Sequence, residues 1–168
     1  MIEIRNSILA GLGFGFFFGL FIAVRFNLEY SISVGPISGI AFGTALYFFV
    51  TSKVVRSQTN IEINDGTKII RSGGANHFIN GEAVGGKLYL LVDILHFKSH
   101  NFNFQNHGHI IEIAKVKEVS YYNTLGLVPN GLAITTVDGQ TERFVVNGRQ
   151  SWRREIEKLV SDRCAEVK

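Results

Sequence analysis

Four histidines, His96, His100, His107 and His109, fall close together in the sequence, and His107 and His109 would face the same side of an extended strand, as zinc ligands sometimes do. The one cysteine, Cys164, lies near the C-terminal end, so neither an intramolecular disulfide nor a Cys-rich zinc site is available. No metal and no cofactor is expected. Ser99, His100 and Asp93 are the residue types of a nucleophile, a base and an orienting acid, but no nucleophile elbow or oxyanion motif accompanies them. Gly73-Gly74 and Gly85-Gly86 fit neither a Walker loop nor a dinucleotide fingerprint. No catalytic residue is therefore expected, and the chain reads as a non-enzymatic one.

Binding is a better match to these residues. The stretch Lys98-Ser99-His100-Asn101-Phe102-Asn103-Phe104-Gln105-Asn106-His107 gathers many hydrogen-bond donors around two phenylalanines. Such a loop can hold a phosphate or touch a membrane surface. Lys98, His100, Asn101 and His107 are the first candidates for headgroup contact, with Lys87 and Lys117 as outlying charges. The competing reading is that these groups bond the loop to itself. The net charge of +3 is modest and its basic residues are scattered, which argues against nucleic acid as a partner.

The elements that must position this loop are short strands. From Ile61 onward the sequence alternates apolar and polar residues between turn signals, the pattern of antiparallel strands. Asp65-Gly66, Asn80-Gly81, Asn130-Gly131 and Asp138-Gly139 have hairpin-turn chemistry. Strands are expected near 68–70, 83–91, 94–98, 110–113, 116–122, 132–137 and 142–146. Trp152, Ile156, Leu159 and Val160 then fall at helical spacing, and Asn147 with Gln150 resembles a capping box. An α+β unit of about seven strands, closed by one amphipathic helix, follows.

The N-terminal part is different in kind. Between Asn6 and Ser52 only Arg25 and Glu29 are charged. The apolar run Ile8–Val24 would span about 26 Å as a helix, slightly less than a hydrocarbon core of about 30 Å. A second run, Pro36–Val50, leads to Lys53 and Arg56, whose charges can reach a headgroup region. Glu3 and Arg25-Phe26 fit a cleaved signal peptide poorly. Gly11, Gly15 and Gly19 recur every fourth residue, as do Gly35, Gly39 and Gly43, so each set lines one helix face and lets backbones approach. A transmembrane helical hairpin is expected, a glycine zipper with a turn from Arg25 to Gly35, packing within one chain or between chains. Arg5 before the first helix and Lys53 and Arg56 after the second outweigh Arg25 between them, which favours cytoplasmic termini.

One resemblance joins these observations. Gly74-Ala75-Asn76-His77-Phe78, Glu82-Ala83-Val84-Gly85-Gly86-Lys87-Leu88-Tyr89-Leu90, Phe97-Lys98-Ser99-His100 and Gln105-Asn106-His107 occur in an order that resembles the GRAM domain. Tyr122-Asn123-Thr124-Leu125-Gly126-Leu127-Val128-Pro129-Asn130-Gly131-Leu132 and Phe144-Val145-Val146-Asn147 continue it, from about residue 73 to 159. The resemblance implies a pleckstrin-homology-like fold, two roughly orthogonal sheets capped by a C-terminal helix, acting as an intracellular lipid- or protein-binding module. The segment Val92-Asp93-Ile94 departs from it, with an acid where many relatives have a basic residue, which weakens phosphoinositide affinity. The expected organisation is a hairpin over 1–58 with helices near 7–24 and 36–54, a GRAM-like domain over 59–163 and a tail over 164–168. The expected partners are membrane lipids at the cytosolic face of a multi-pass protein. The alternative is a membrane-tethered protein-interaction or homo-oligomerisation scaffold.

Overall fold

The computed structural model describes residues 2–62, 67–79, 81–103 and 106–166. The chain forms two compact units, Met1–Ser57 and Gln58–Lys168.

In the first unit, α1 (Ile2–Arg25) and α2 (Leu28–Thr51) are each 24 residues long, about 36 Å at the α-helical rise. Both are long and apolar enough to cross a membrane, with mean hydropathies of 2.2 and 1.5. They are longer than the apolar runs alone suggest. The expected turn over 25–35 shrinks to Phe26-Asn27, because the Asn27 side chain accepts the Tyr30 N–H at 2.9 Å and caps a helix that starts eight residues before Pro36. Pro36 therefore lies inside α2 instead of opening it. Ser52 ends α2, and a short α3 (Lys53–Thr59) follows.

The two helices meet along their glycines. A Cβ added to Gly11 would stand 2.6 Å from the Gly39 carbonyl oxygen, one on Gly15 2.8 Å from that of Gly35, and one on Gly43 2.9 Å from that of Ser7. Ser31 Oγ donates to the Gly19 carbonyl at 2.8 Å, a polar tie across the same seam. The outward surface carries exposed side chains such as Phe16, Phe17, Phe21 and Val24.

The second unit is a curled, seven-stranded antiparallel sheet with one long helix. Its strands are β1 (Ile69–Ile79), β2 (Glu82–Leu91), β3 (Ile94–Ser99), β4 (Gly108–Glu112), β5 (Val116–Thr124), β6 (Val128–Thr136) and β7 (Thr141–Val146), in the order β4-β3-β2-β1-β7-β6-β5. The strands join into one hydrogen-bonded sheet rather than two separate ones, because β1 pairs with β2 along its length and with β7 over Ala75–Phe78. Alternate residues point inward: Val84, Leu88 and Leu90 of β2, Leu95 and Phe97 of β3, Leu132 and Ile134 of β6, and Phe144 and Val146 of β7 are all buried. The helix α4 (Arg149–Glu166) closes this core with buried Trp152 and Ile156.

Several sequence expectations change. β1 extends far past the expected 68–70, through Gly73-Gly74, because β2 pairs with it along its length and supplies the ladder that glycine's weak strand preference does not. Asn130-Gly131 is not a turn but part of β6. Gly131 is required there because the Tyr122 ring lies across it, 2.6 Å from where a Cβ would be. The β5–β6 turn falls instead at Leu125-Gly126, both at positive φ. Asp138-Gly139 does turn, with Gly139 at φ +86. Asp65-Gly66, Asn80 and the Cys164 side chain lie outside the described residues. At the start of α4 the Gly148 carbonyl accepts the Ser151 and Trp152 N–H groups.

Candidate functional site

Lys87 and Lys98 stand directly opposite each other on β2 and β3, on the outer face of the sheet. The Lys87 ammonium lies 4.7 Å from the centre of the Tyr89 ring. Tyr89 is buried although it too faces outward, because residues 58–60 run over it: its hydroxyl donates to the Thr59 carbonyl at 3.0 Å. The same segment accepts from Lys98 Nζ at the Asn60 carbonyl, 2.6 Å, and from the Asn101 N–H at Gln58 Oε1, 2.9 Å. Two lysines thus project from opposed positions on β2 and β3, the ammonium of one over Tyr89 and that of the other on the Asn60 carbonyl.

That loop is held by Asn103. Its Oδ1 accepts the Gly85 N–H at 2.9 Å, and its Nδ2 donates to the Gly85 and His100 carbonyls at 2.8 and 2.7 Å. The His100 N–H also donates to the Gly85 carbonyl, and its ring sits where a Gly85 Cβ would be. Ser99 Oγ accepts the His107 N–H at 2.9 Å. Polar groups of this loop are therefore used to build it, and burial lowers the His100 pKa, which keeps the ring neutral near pH 7.

His107 points elsewhere, into a cluster at the inner face. Fully buried His77 lies between it and Glu142, with Nδ1 2.9 Å from His107 Nε2 and Nε2 2.7 Å from Glu142 Oε2. The partners assign the protons: His77 donates from Nε2 to the carboxylate and accepts at Nδ1 from His107. His109 approaches the other carboxylate oxygen at 3.4 Å. The His77 ring stacks on Phe144 at 4.5 Å. Burial lowers the His77 pKa, with Glu142 opposing, and burial also lowers that of His107, helped by His109. Because the two nitrogens of His77 face different partners, the donors do not converge on one point. Among the described residues no cluster of His, Cys, Asp or Glu suits a metal ion.

The other sequence candidates are dispersed. His96 faces outward between Tyr89 and Ile110, apart from His100 and His107. Lys117 is exposed on β5, the opposite edge of the sheet from β3 and β4, and does not join the Lys87–Lys98 pair. Asp93 ion-pairs with Arg163 at the far end of β3 from Ser99, so Ser99, His100 and Asp93 do not meet. His77 and Glu142 are the residues the sequence did not single out. They are 65 positions apart, and only the pairing of β1 with β7 brings them together.

No model of a known protein family matches the chain, and no curated protein matches it significantly. Among solved structures, it is similar to the C-terminal domain of an unknown protein from Leishmania infantum, with a TM-score of 0.48 and 15% identity over 56% of this chain and 86% of that one. It is also similar to the Slm1 PH domain in complex with inositol-4-phosphate, with a TM-score of 0.43 and 12% identity over 55% and 95%. The solution structure of a pleckstrin homology domain gives a TM-score of 0.44 and 21% identity over 60% and 91%.

Proposed function

We propose that this chain is a membrane-anchored, non-catalytic binding protein whose second unit is a pleckstrin-homology-like module of GRAM type that binds the headgroups of anionic lipids. The observation that carries the reading is the Lys87–Lys98 pair. Like charges directly opposite across a ladder cost stability, so a chain that fixes two of them beside Tyr89 holds a ready counter-surface for a phosphate or carboxylate. The exposed apolar surface of α1 and α2 supports the anchor, since water solvates it poorly and a hydrocarbon core would cover it. The organisation proposed is an anchoring hairpin over 1–58, the module over 59–163 and a tail over 164–168. Arg5, Lys53 and Arg56 support a cytosolic orientation of the module in a multi-pass protein. Anchoring raises the local lipid concentration, so weak affinity is enough.

Assembly of copies through the glycine faces is the competing reading. Those faces are occupied by each other within the chain, which leaves it less surface. The test is titration of the full chain, held in phosphatidylcholine nanodiscs, with soluble short-chain phosphatidylserine and phosphatidylinositol phosphates. Saturable binding that Lys87→Glu and Lys98→Glu each weaken supports the proposal. Absence of binding to every anionic headgroup refutes it.

A further inference from the structure

The exposed tip of the β5–β6 hairpin is the most conspicuous apolar feature of the second unit. Leu125 is 89% and Leu127 84% exposed, with Val128 beside them. Leu125 has φ +53 and Gly126 φ +73. Glycine and asparagine adopt that conformation readily, whereas a leucine is strained in it. The strain gains nothing within the second unit, because the side chain is in solvent.

Immediately behind the tip lies a set of arginines stacked on tyrosines. Arg149 Nη1 donates to the Tyr122 carbonyl at 2.8 Å and to Asn123 Oδ1 at 3.3 Å, which fixes its guanidinium at the base of the hairpin. Arg149 and Arg153 lie over the Tyr121 ring at 4.7 and 5.0 Å, and Arg143 over that of Tyr122 at 5.9 Å. Arg153 pairs with Glu157, while among the described residues Arg143 and Arg149 have no carboxylate partner. The local charge is positive.

We infer that this hairpin is a bilayer-inserting wedge: Leu125 and Leu127 enter the acyl boundary of an anionic leaflet, and Arg143, Arg149 and Arg153 meet its headgroups. This rests on the proposed lipid-binding role and assigns it a second surface, remote in strand order from Lys87 and Lys98. An apolar tip on a cationic, aromatic base matches the layered chemistry of a membrane interface. A folded protein partner is a poorer match, since a few side chains on a narrow tip cannot bury the roughly 800 Å² per partner of a stable interface.

The experiment uses the full chain in nanodiscs, with Cys164→Ser and an environment-sensitive fluorophore on Leu127→Cys. In a phosphatidylcholine–phosphatidylserine mixture the expected result is blue-shifted emission, quenched by lipids carrying a shallow nitroxide and reversed by salt. Phosphatidylcholine alone should leave the probe aqueous. Leu125→Asn should keep or raise thermal stability, because asparagine suits that φ, yet lower the inserted fraction about tenfold. Arg143→Glu combined with Arg149→Glu should abolish the shift. An emission that is the same in both lipid compositions overturns the wedge, as does a shift that grows with protein concentration in phosphatidylcholine alone, which would mark a second copy as the occupant. A second probe at Gly74→Cys, beside Lys87, separates the two claims: if it responds to phosphatidylserine while the tip does not, lipid binding stands and the wedge fails. If neither responds, both fail.

Discussion

Replacing Gly11 by alanine should loosen the helical hairpin, whereas the same change at Gly13 should not. An alanine Cβ at position 11 would lie 2.6 Å from the Gly39 carbonyl oxygen and 3.1 Å from the Gly43 Cα, both backbone atoms that no rotamer change can move. Restoring normal contact requires the helices to separate by roughly 0.5–1 Å, a gap that forfeits a quarter to a half of each dispersion contact along the seam. At Gly13 a Cβ meets nothing within 4 Å. Both variants gain the same helix preference, so it cancels in the comparison and leaves the overpacking cost, about 1–3 kcal/mol. The assay is unfolding of the full chain in mild micelles by added dodecyl sulfate, followed by energy transfer between dyes on α1 and α2. Gly11→Ala should lower the midpoint relative to Gly13→Ala, and Gly15→Val, facing the Gly35 carbonyl at 2.8 Å, should lower it further. Equal midpoints for Gly11→Ala and Gly13→Ala would refute the close seam.

Three further outcomes follow from the second unit. The pKa values of His77, His96, His100 and His107 all lie below 6.5 in the folded chain, so the unfolded chain binds protons first and stability present above about pH 6.5 is lost as pH falls. Buried His77 alone sets a slope of up to about 1.4 kcal/mol per pH unit in that window, and thermal melts of wild type and His77→Gln should differ in slope there. Gly86→Ala should cost about 3 kcal/mol, because its Cβ would run into the Lys98 carbonyl oxygen, a backbone atom, while Gly74→Ala, with nothing within 4 Å, should be nearly neutral in chemical denaturation. Asn103→Ala takes the side-chain acceptor from the Gly85 N–H, while the Gly85 carbonyl keeps the His100 N–H, and should cost about 1–3 kcal/mol with faster amide exchange at Gly85.

The fold was largely legible because its signals are local. Alternation marked six of the strands to within a few residues, and the spacing of Trp152 and Ile156 marked α4. The failures occurred where a tertiary partner changed the meaning of a local signal. A strand was expected only over 68–70, but pairing with β2 carries β1 on through Gly73-Gly74 to Ile79. Asn130-Gly131 reads as a turn, but its glycine makes room for Tyr122. Pro36 reads as a helix start, but Asn27 had already capped the helix.

The site was less legible, because a binding surface depends on which polar groups remain after the fold has used the others. The 98–107 loop looked like a cradle because it is rich in donors, yet Asn103 and His100 are spent on Gly85 and His107 on His77. Lys87 and Lys98 are eleven positions apart and become neighbours only through the β2–β3 register. Arg149 and Tyr122 come together in the same way, through the packing of α4 on β5. Composition supplied residue types whose chemistry suits an anion, but strand register decided which of them stand together. Charge reversal at Lys98 therefore tests a different surface from charge reversal at Arg149, and a loss confined to one of the two would assign headgroup contact to that side of the sheet.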